Sequence, residues 1–320
     1  LGHCDYLGDK WSILDCPGSI EFAHETEAAL AMADIAVVVC EPAASRALSV
    51  ALLLKKLADE GVPHMVFINK IDTLEGSIAD TLAALQAYAG SPLVLRQVPI
   101  VDGSVVTGYV DLMSERAYRY RKGQASELMQ VPAAMLAEEQ EALGKLVEVL
   151  ADHDDALLEK VLEDMKPTPA ELYRDMRKDL LAGDVIEVLL GSAENANGVR
   201  RLWKALRHDT PDAAETAARK GIVTEGAPLA QVFKTAYAGH TGKLSYARIW
   251  RGEIKDGTML NGTRLGGIYH MNNGADLSKM PDAAAGDVVA LGRLDTVATG
   301  ASVSTNGSAE TLSFPPPPPP

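Results

Sequence analysis

Met65-Val66-Phe67-Ile68-Asn69-Lys70-Ile71-Asp72 is an apolar run passing without a break into a polar tetrapeptide. Four consecutive apolar residues, two of them β-branched and one aromatic, suit a strand buried on both faces, as in a parallel sheet. Gly61-Val62-Pro63 stops a helix just upstream, and Arg46 to Glu60 has the composition of that helix. Ala36 to Cys40 is a second continuous apolar run, Glu21 to Ala33 reads as another helix, and Lys10 to Leu14 as a short strand running into Asp15-Cys16-Pro17-Gly18. Strand, helix, strand, helix, strand at this spacing predicts an open α/β sheet, with ligand loops at the strand carboxyl ends.

Downstream the rhythm breaks. From about Pro92 to Asp184 the chain carries a hairpin signal at Asp102-Gly103 and then acidic helical stretches around Val131 to Met165, which predicts an inserted α+β subdomain. Thr168, Pro169 and Glu171 spell a capping box with proline at the first helical position, a structural device. The sheet is expected to resume at Val185 to Leu190, followed by Gly191-Ser192-Ala193 and an amphipathic helix from about Val199 to Arg207. Beyond a connector at Thr210 to Gly226, short β-runs alternate with turn signals at Gly239-His240-Thr241-Gly242, Asp256-Gly257, Asn261-Gly262, Asn273-Gly274 and Gly286-Asp287. That pattern predicts an all-β barrel. The expected organisation is an α/β domain over 1–209 with its insertion at about 92–184, a barrel over 227–306, and a Pro-rich linker over 307–320 ending in Pro315 to Pro320. Because the chain opens on Leu1 and stops in prolines, both ends are expected to be cut.

Composition narrows the function classes. At 320 residues, 47% apolar and 23% charged, the chain is an ordinary globular protein of two-domain length. No apolar run approaches the roughly 20 residues of a membrane span, and no secretory leader opens the chain, so a soluble, cytoplasmic protein without a membrane partner is expected. Cys4, Cys16 and Cys40 have neither an even count nor a metal-ligand spacing, which suits reduced thiols. The 44 acidic against 30 basic residues exclude a general nucleic-acid coat, and no DNA partner is expected; any RNA must be met at a local site.

Three motifs, each at the end of an expected strand, carry the chemistry. In Asp15-x-x-Gly18 a carboxylate can hold magnesium through water, and the glycine amide can approach a terminal phosphate; alone the signal is weak, and a Pro17-Gly18 turn after a strand is then the default reading. In Asn69-Lys70-Ile71-Asp72 the aspartate can accept from the ring N–H and exocyclic amine of guanine and so reject adenine. Lys70 has a stem long enough to lie over the base, and Asn69 can tie the loop to its neighbours. Small residues at Gly191-Ser192-Ala193 let a backbone amide reach the guanine carbonyl, a signal whose value lies in its order behind the other two.

The residues Asp15-Cys16-Pro17-Gly18-Ser19-Ile20-Glu21-Phe22 resemble the D-T-P-G-H-V-D-F stretch of translational GTPases. Asp34 to Val39, Val62-Pro63 and Asn69 to Asp72 are similar to elongation factor G at matching spacing. Gln97 to Ile100 and Thr107 to Leu112 resemble the start of its insertion, and Gln231 to Lys234, Gly242 to Leu244, Arg248 to Gly252 and Ala285 to Ala290 resemble its second, barrel domain. The resemblance implies a P-loop-type GTPase domain, GTP or GDP with Mg2+, and a ribosome-associated role in translation, at translocation or recycling. It implies that Asp15, Cys16, Pro17 and Gly18 sense phosphate and magnesium, with Asp15 holding Mg2+ through water, and that Asn69, Lys70, Asp72, Ser192 and Ala193 bind guanine. Three departures stand out. The phosphate-binding G-x-x-x-x-G-K-[ST] is nowhere in these residues, and Gly239 to Lys243 is too short to replace it. Ser19 stands where the family has the histidine that orients the attacking water, with His24 five residues on. Glu41-Pro42-Ala43-Ala44-Ser45 replaces a glycine-rich stretch. Ser19 raises an alternative: a paralogue that binds GTP and the ribosome but hydrolyses slowly. A barrel-based adaptor without nucleotide is disfavoured by Asn69 to Asp72.

Overall fold

The computed structural model describes residues 1–74, 76–103, 105–238, 242–272, 276–307 and 310–316. Two units form: Ile35–Thr210, and Leu1–Asp34 together with Pro211–Pro320.

The first unit is built on a four-stranded parallel sheet in the order Ala36–Cys40, His64–Ile68, Ile186–Leu190, Leu93–Leu95. All five residues of His64–Ile68 and of Ile186–Leu190 are buried, as a central parallel strand requires. Helices Leu48–Asp59, Ile78–Gln86 and Val199–Asp209 belong to this α/β layer. The expected insertion is an antiparallel sheet, in the order Gln97–Asp102, Val105–Asp111, Arg116–Arg119, Glu127–Met129, followed by helices Leu136–Ala151, Asp155–Leu162 and Pro169–Ala182. Met65 and Phe67 of the parallel sheet share one buried cluster with Val110, Leu146, Leu172 and Met176, so insertion and sheet have a common core. The Pro169–Ala182 helix starts as its sequence predicts. Thr168 Oγ1 accepts from Glu171 N–H, the Glu171 side chain returns to Thr168 N–H, and Gly183 closes the helix at φ 82°.

Buried charge fastens this core. Arg96, fully buried, donates to Glu187 and, at 3.2 Å, to Asp209, and its guanidinium lies 5.0 Å from the Tyr173 ring centroid. Arg201 is ion-paired with Asp111 of the inserted sheet. Gln97 Oε1 accepts from Leu190 N–H at 2.8 Å, one residue before Gly191.

The second unit holds a six-stranded antiparallel sheet in the order Asp276–Met280, Ile268–Asn272, Val288–Gly292, Gly242–Arg251, Leu229–Ala238, Ser302–Ser304. Val232, Ile249, Ile254, Leu260, Leu291 and Val303 are among its buried core. Asn261 and Gly262, at φ 47° and 80°, make the two-residue turn between Met259–Leu260 and Thr263–Arg264. The expected turns at Gly239-His240-Thr241 and Asn273-Gly274, and the prolines 317–320, lie outside the described residues. Met32 of the helix Ala23–Met32 packs with Phe233 and Trp250 of this sheet, and Arg248 binds Met32 O and, at 2.6 Å, Asp34 Oδ1.

One strand differs from its sequence reading. Lys10 to Leu14 predicts a member of the parallel sheet, whereas Asp9–Ile13 pairs antiparallel with Gly2–Tyr6 as a two-stranded hairpin. Four of its five residues are exposed, so it lacks the two buried faces of a parallel strand. Among the described residues no helix is long and apolar enough to cross a membrane.

Candidate functional site

The loops after strands His64–Ile68 and Ile186–Leu190 meet. Asn69 N–H donates to Cys40 O at 2.8 Å, and Asn69 Oδ1 accepts the backbone N–H of Ala193 at 2.8 Å across 124 positions of sequence. Ile71, buried, donates its N–H to Gly191 O at 3.1 Å. The tetrapeptide and the Gly191-Ser192-Ala193 loop are thus joined by main-chain and side-chain bonds, and parallel pairing of their parent strands sets them side by side.

Lys70 has φ 58°, the left-handed region, which costs a non-glycine residue about 1–2 kcal/mol. Thr73 holds it there, its N–H and its hydroxyl both donating to Lys70 O at 2.9 Å. The Lys70 ammonium pairs with Glu41 Oε1 at 2.6 Å, and that bond holds the Glu41 carboxyl below the usual carboxylate range. Asp72 is exposed on the short turn Ile71–Thr73, with Oδ2 accepting from Asn195 Nδ2 at 2.9 Å. Ser192 is buried, and the loop it opens is closed by paired bonds with Asn197, 2.9 Å each way. Gly191 is required there: a Cβ would stand 2.5 Å from both Asn197 O and the Phe67 ring. A cavity of about 380 Å3 opens at the carboxyl ends of the Ala36–Cys40 and His64–Ile68 strands, lined by Asn69, Lys70, Glu41, Cys40 and Arg46 among others but not by Asp72. A larger one, about 670 Å3, lies beside helices Ile78–Gln86 and Leu136–Ala151, and none of Asn69 to Asp72 or Gly191 to Ala193 lines it.

The Asp15-to-Ser19 segment belongs to the other unit. Asp15, Pro17, Gly18 and Ser19 are exposed, while Cys16 is half-buried, with Sγ 3.7 Å from Leu14 O, and burial pushes its thiol up. Ser19 precedes the short turn Ile20–Phe22 and makes no side-chain capping bond to it. A Cβ at Gly18 would meet nothing within 4 Å, so the chain's own packing does not demand glycine there. Among the described residues no group of three or more His, Cys, Asp or Glu side chains could hold a metal ion. A lone exposed carboxylate suits Mg2+, which keeps several waters and takes further oxygens from bound phosphates.

Sequence reading brings out Asn69, Lys70, Asp72, Ser192 and Ala193 but passes over Asn195 and Glu41. Glu41 figures there only within a departure from a glycine-rich stretch, and Asn195 carries no signal beyond that of a polar residue in a loop.

The model of the elongation factor Tu GTP binding domain matches residues 3–212. An elongation factor G-like protein of Synechocystis is 43% identical over 94% of this chain and 45% of its own length. Elongation factor G 2 of Syntrophomonas wolfei is 30% identical over 98% and 48%. The chain thus spans about half the length of the curated relatives it matches. A crystal structure of a protein from Thermus thermophilus superposes with TM-score 0.85 at 27% identity, covering 99% of this chain and 47% of that one. With a family model over about two thirds of its length, a relative 43% identical over 94% of it, and an α/β layer followed by antiparallel sheet, the chain belongs to the translational GTPases.

Proposed function

We propose that the protein is an elongation factor G-like GTPase that works on the ribosome, in translocation or recycling, and that this chain supplies its guanine-reading loops and second domain. The observation that carries the reading is the Asn69 to Ala193 bond, which joins two motifs 124 positions apart. On this reading residues 1–209 form the nucleotide domain with its insertion at about 92–184, residues 227–306 the barrel, and 307–320 a linker. Asp72 accepts from the guanine ring N–H and exocyclic amine, the Ala193 region approaches the guanine carbonyl, and Lys70 covers the base. Asp15 holds Mg2+ through water, and the Gly18 amide senses the terminal phosphate. When bound, the metal neutralises charge on the phosphate oxygens.

Ser19 favours a second reading, a GTP-binding ribosomal regulator that hydrolyses slowly. Its hydroxyl is exposed and makes no capping bond, so it is free to hold a water, but it neither reaches as far as histidine nor titrates near neutrality. Single-turnover GTP hydrolysis by the intact protein, with and without ribosomes, tests the proposal. Ribosome-stimulated phosphate release supports the GTPase, binding without release supports the regulator, and no guanine-nucleotide binding overturns both.

A further inference from the structure

We infer that Asn195 is a positioning residue for the Asp72 carboxylate, fixing it so that both oxygens face the two N–H groups of guanine; this rests on the proposed reading of Asp72. Four constraints place Asn195. The Ser192–Asn197 bridge closes its loop, and Ala196, at φ 57°, donates its N–H to Ala193 O at 3.1 Å, completing a tight turn with Asn195 inside it. Gly198, at φ 74°, leaves the loop where a Cβ would stand 2.2 Å from Leu190 O, so the chain there packs backbone to backbone against the end of the Ile186–Leu190 strand. From the inserted subdomain, Gly123 N–H donates to Asn195 O at 3.1 Å, pinning the main chain from a separate direction.

With its backbone held, the side chain reaches Asp72 Oδ2 at 2.9 Å and lies 3.4 Å from Ser192 Oγ. A carboxylate offers about four lone-pair sites, and this bond takes one of them. One site on Oδ2 and both on Oδ1 stay open, enough for the ring N–H and the exocyclic amine together. An aspartate's terminal torsion is broad, so an unheld carboxylate swings through orientations in which only one oxygen faces the base. An amide donor narrows that torsion and, being neutral, leaves the carboxylate charge for guanine. Asn195 therefore favours two-point over one-point recognition.

The discriminating ligand is IDP, whose base keeps the ring N–H and lacks the exocyclic amine. In the intact protein, Asn195→Ala is expected to weaken GDP about three- to tenfold, the size of one lost hydrogen bond, and IDP less, so that the GDP-to-IDP affinity ratio falls. The isosteric Asn195→Asp keeps the loop's shape, removes the donor and sets a second carboxylate against Asp72; it should weaken GDP more than alanine does, and it carries the test if Asn195→Ala fails to fold. An unchanged GDP-to-IDP ratio in folded variants, or tighter GDP binding, overturns the inference. Asp72→Asn measured alongside separates the two levels: if it leaves guanine-over-xanthine preference intact, the reading of Asp72 itself is wrong, whereas a shifted preference with an unmoved GDP-to-IDP ratio sinks only the role of Asn195.

Discussion

Asn69 accepts the Ala193 backbone N–H through its side-chain oxygen at 2.8 Å, so one residue of the first loop sets the position of the second. Replacing it with alanine removes the acceptor and leaves the pairing to the Ile71 to Gly191 and Asn195 to Asp72 bonds. Asn69→Ala should weaken GDP binding by the intact protein about tenfold while costing roughly 1 kcal/mol of stability, one net hydrogen bond. Fluorescent-nucleotide titration and urea midpoints check both. A large stability loss without an affinity change would make the bond purely structural.

The buried cluster of Arg96, Arg201, Asp111, Glu187 and Asp209 has two cations against three carboxyls. Burial cannot support the surplus negative charge, and the Asp209 carboxyl, raised first by desolvation and then by Glu187, moves up to about 7. A folded value above the ordinary aspartate one means the native state keeps a proton that the unfolded chain releases. Its stabilisation is full below about pH 4 and is lost as pH rises through about 7. The stability cost of Asp209→Asn should therefore shrink between pH 5 and pH 8. Asp111→Asn strips Arg201 of its partner and should cost about 3 kcal/mol or more throughout. Urea denaturation across pH decides; a cost for Asp209→Asn that grows with pH contradicts the protonated carboxyl.

These pairs also mark where sequence reading stops. Asn69 to Asp72, Ser192-Ala193 and the Thr168 cap are legible because each is a short local pattern tied to a strand end or helix start. The burial of Arg96 is not, since its partners Glu187 and Asp209 stand 91 and 113 positions away. Asp9–Ile13 is misplaced for the same reason: a five-residue strand pattern says nothing about which strand will pair with it. Asn195 matters only through Asp72, 123 positions distant, and no spacing rule connects them. Asn261-Gly262, whose conformation follows from its own two residues, reads correctly from sequence.

Ser19 is where the two functional readings divide. Hydrolysis depends on holding water in line and on stabilising charge, more than on a strong base. Ser19→His in the intact protein should raise the ribosome-stimulated single-turnover rate tenfold or more, about 1.4 kcal/mol per tenfold, with little change in GTP affinity. A fast rate with serine that stays level or falls with histidine means another group positions the water.

Asp72 is the carboxylate proposed to read guanine, and Asp72→Asn removes its charge while keeping its shape. An amide presents a donor where the carboxylate accepted, so it should pair with the carbonyl that xanthine carries in place of the exocyclic amine. Competitive titration of the intact protein with GTP and XTP should show GTP weakened by about one to two orders of magnitude, the loss of charged hydrogen bonds, with XTP strengthened. GTP-over-XTP selectivity left unchanged by Asp72→Asn would mean that Asp72 does not read the base.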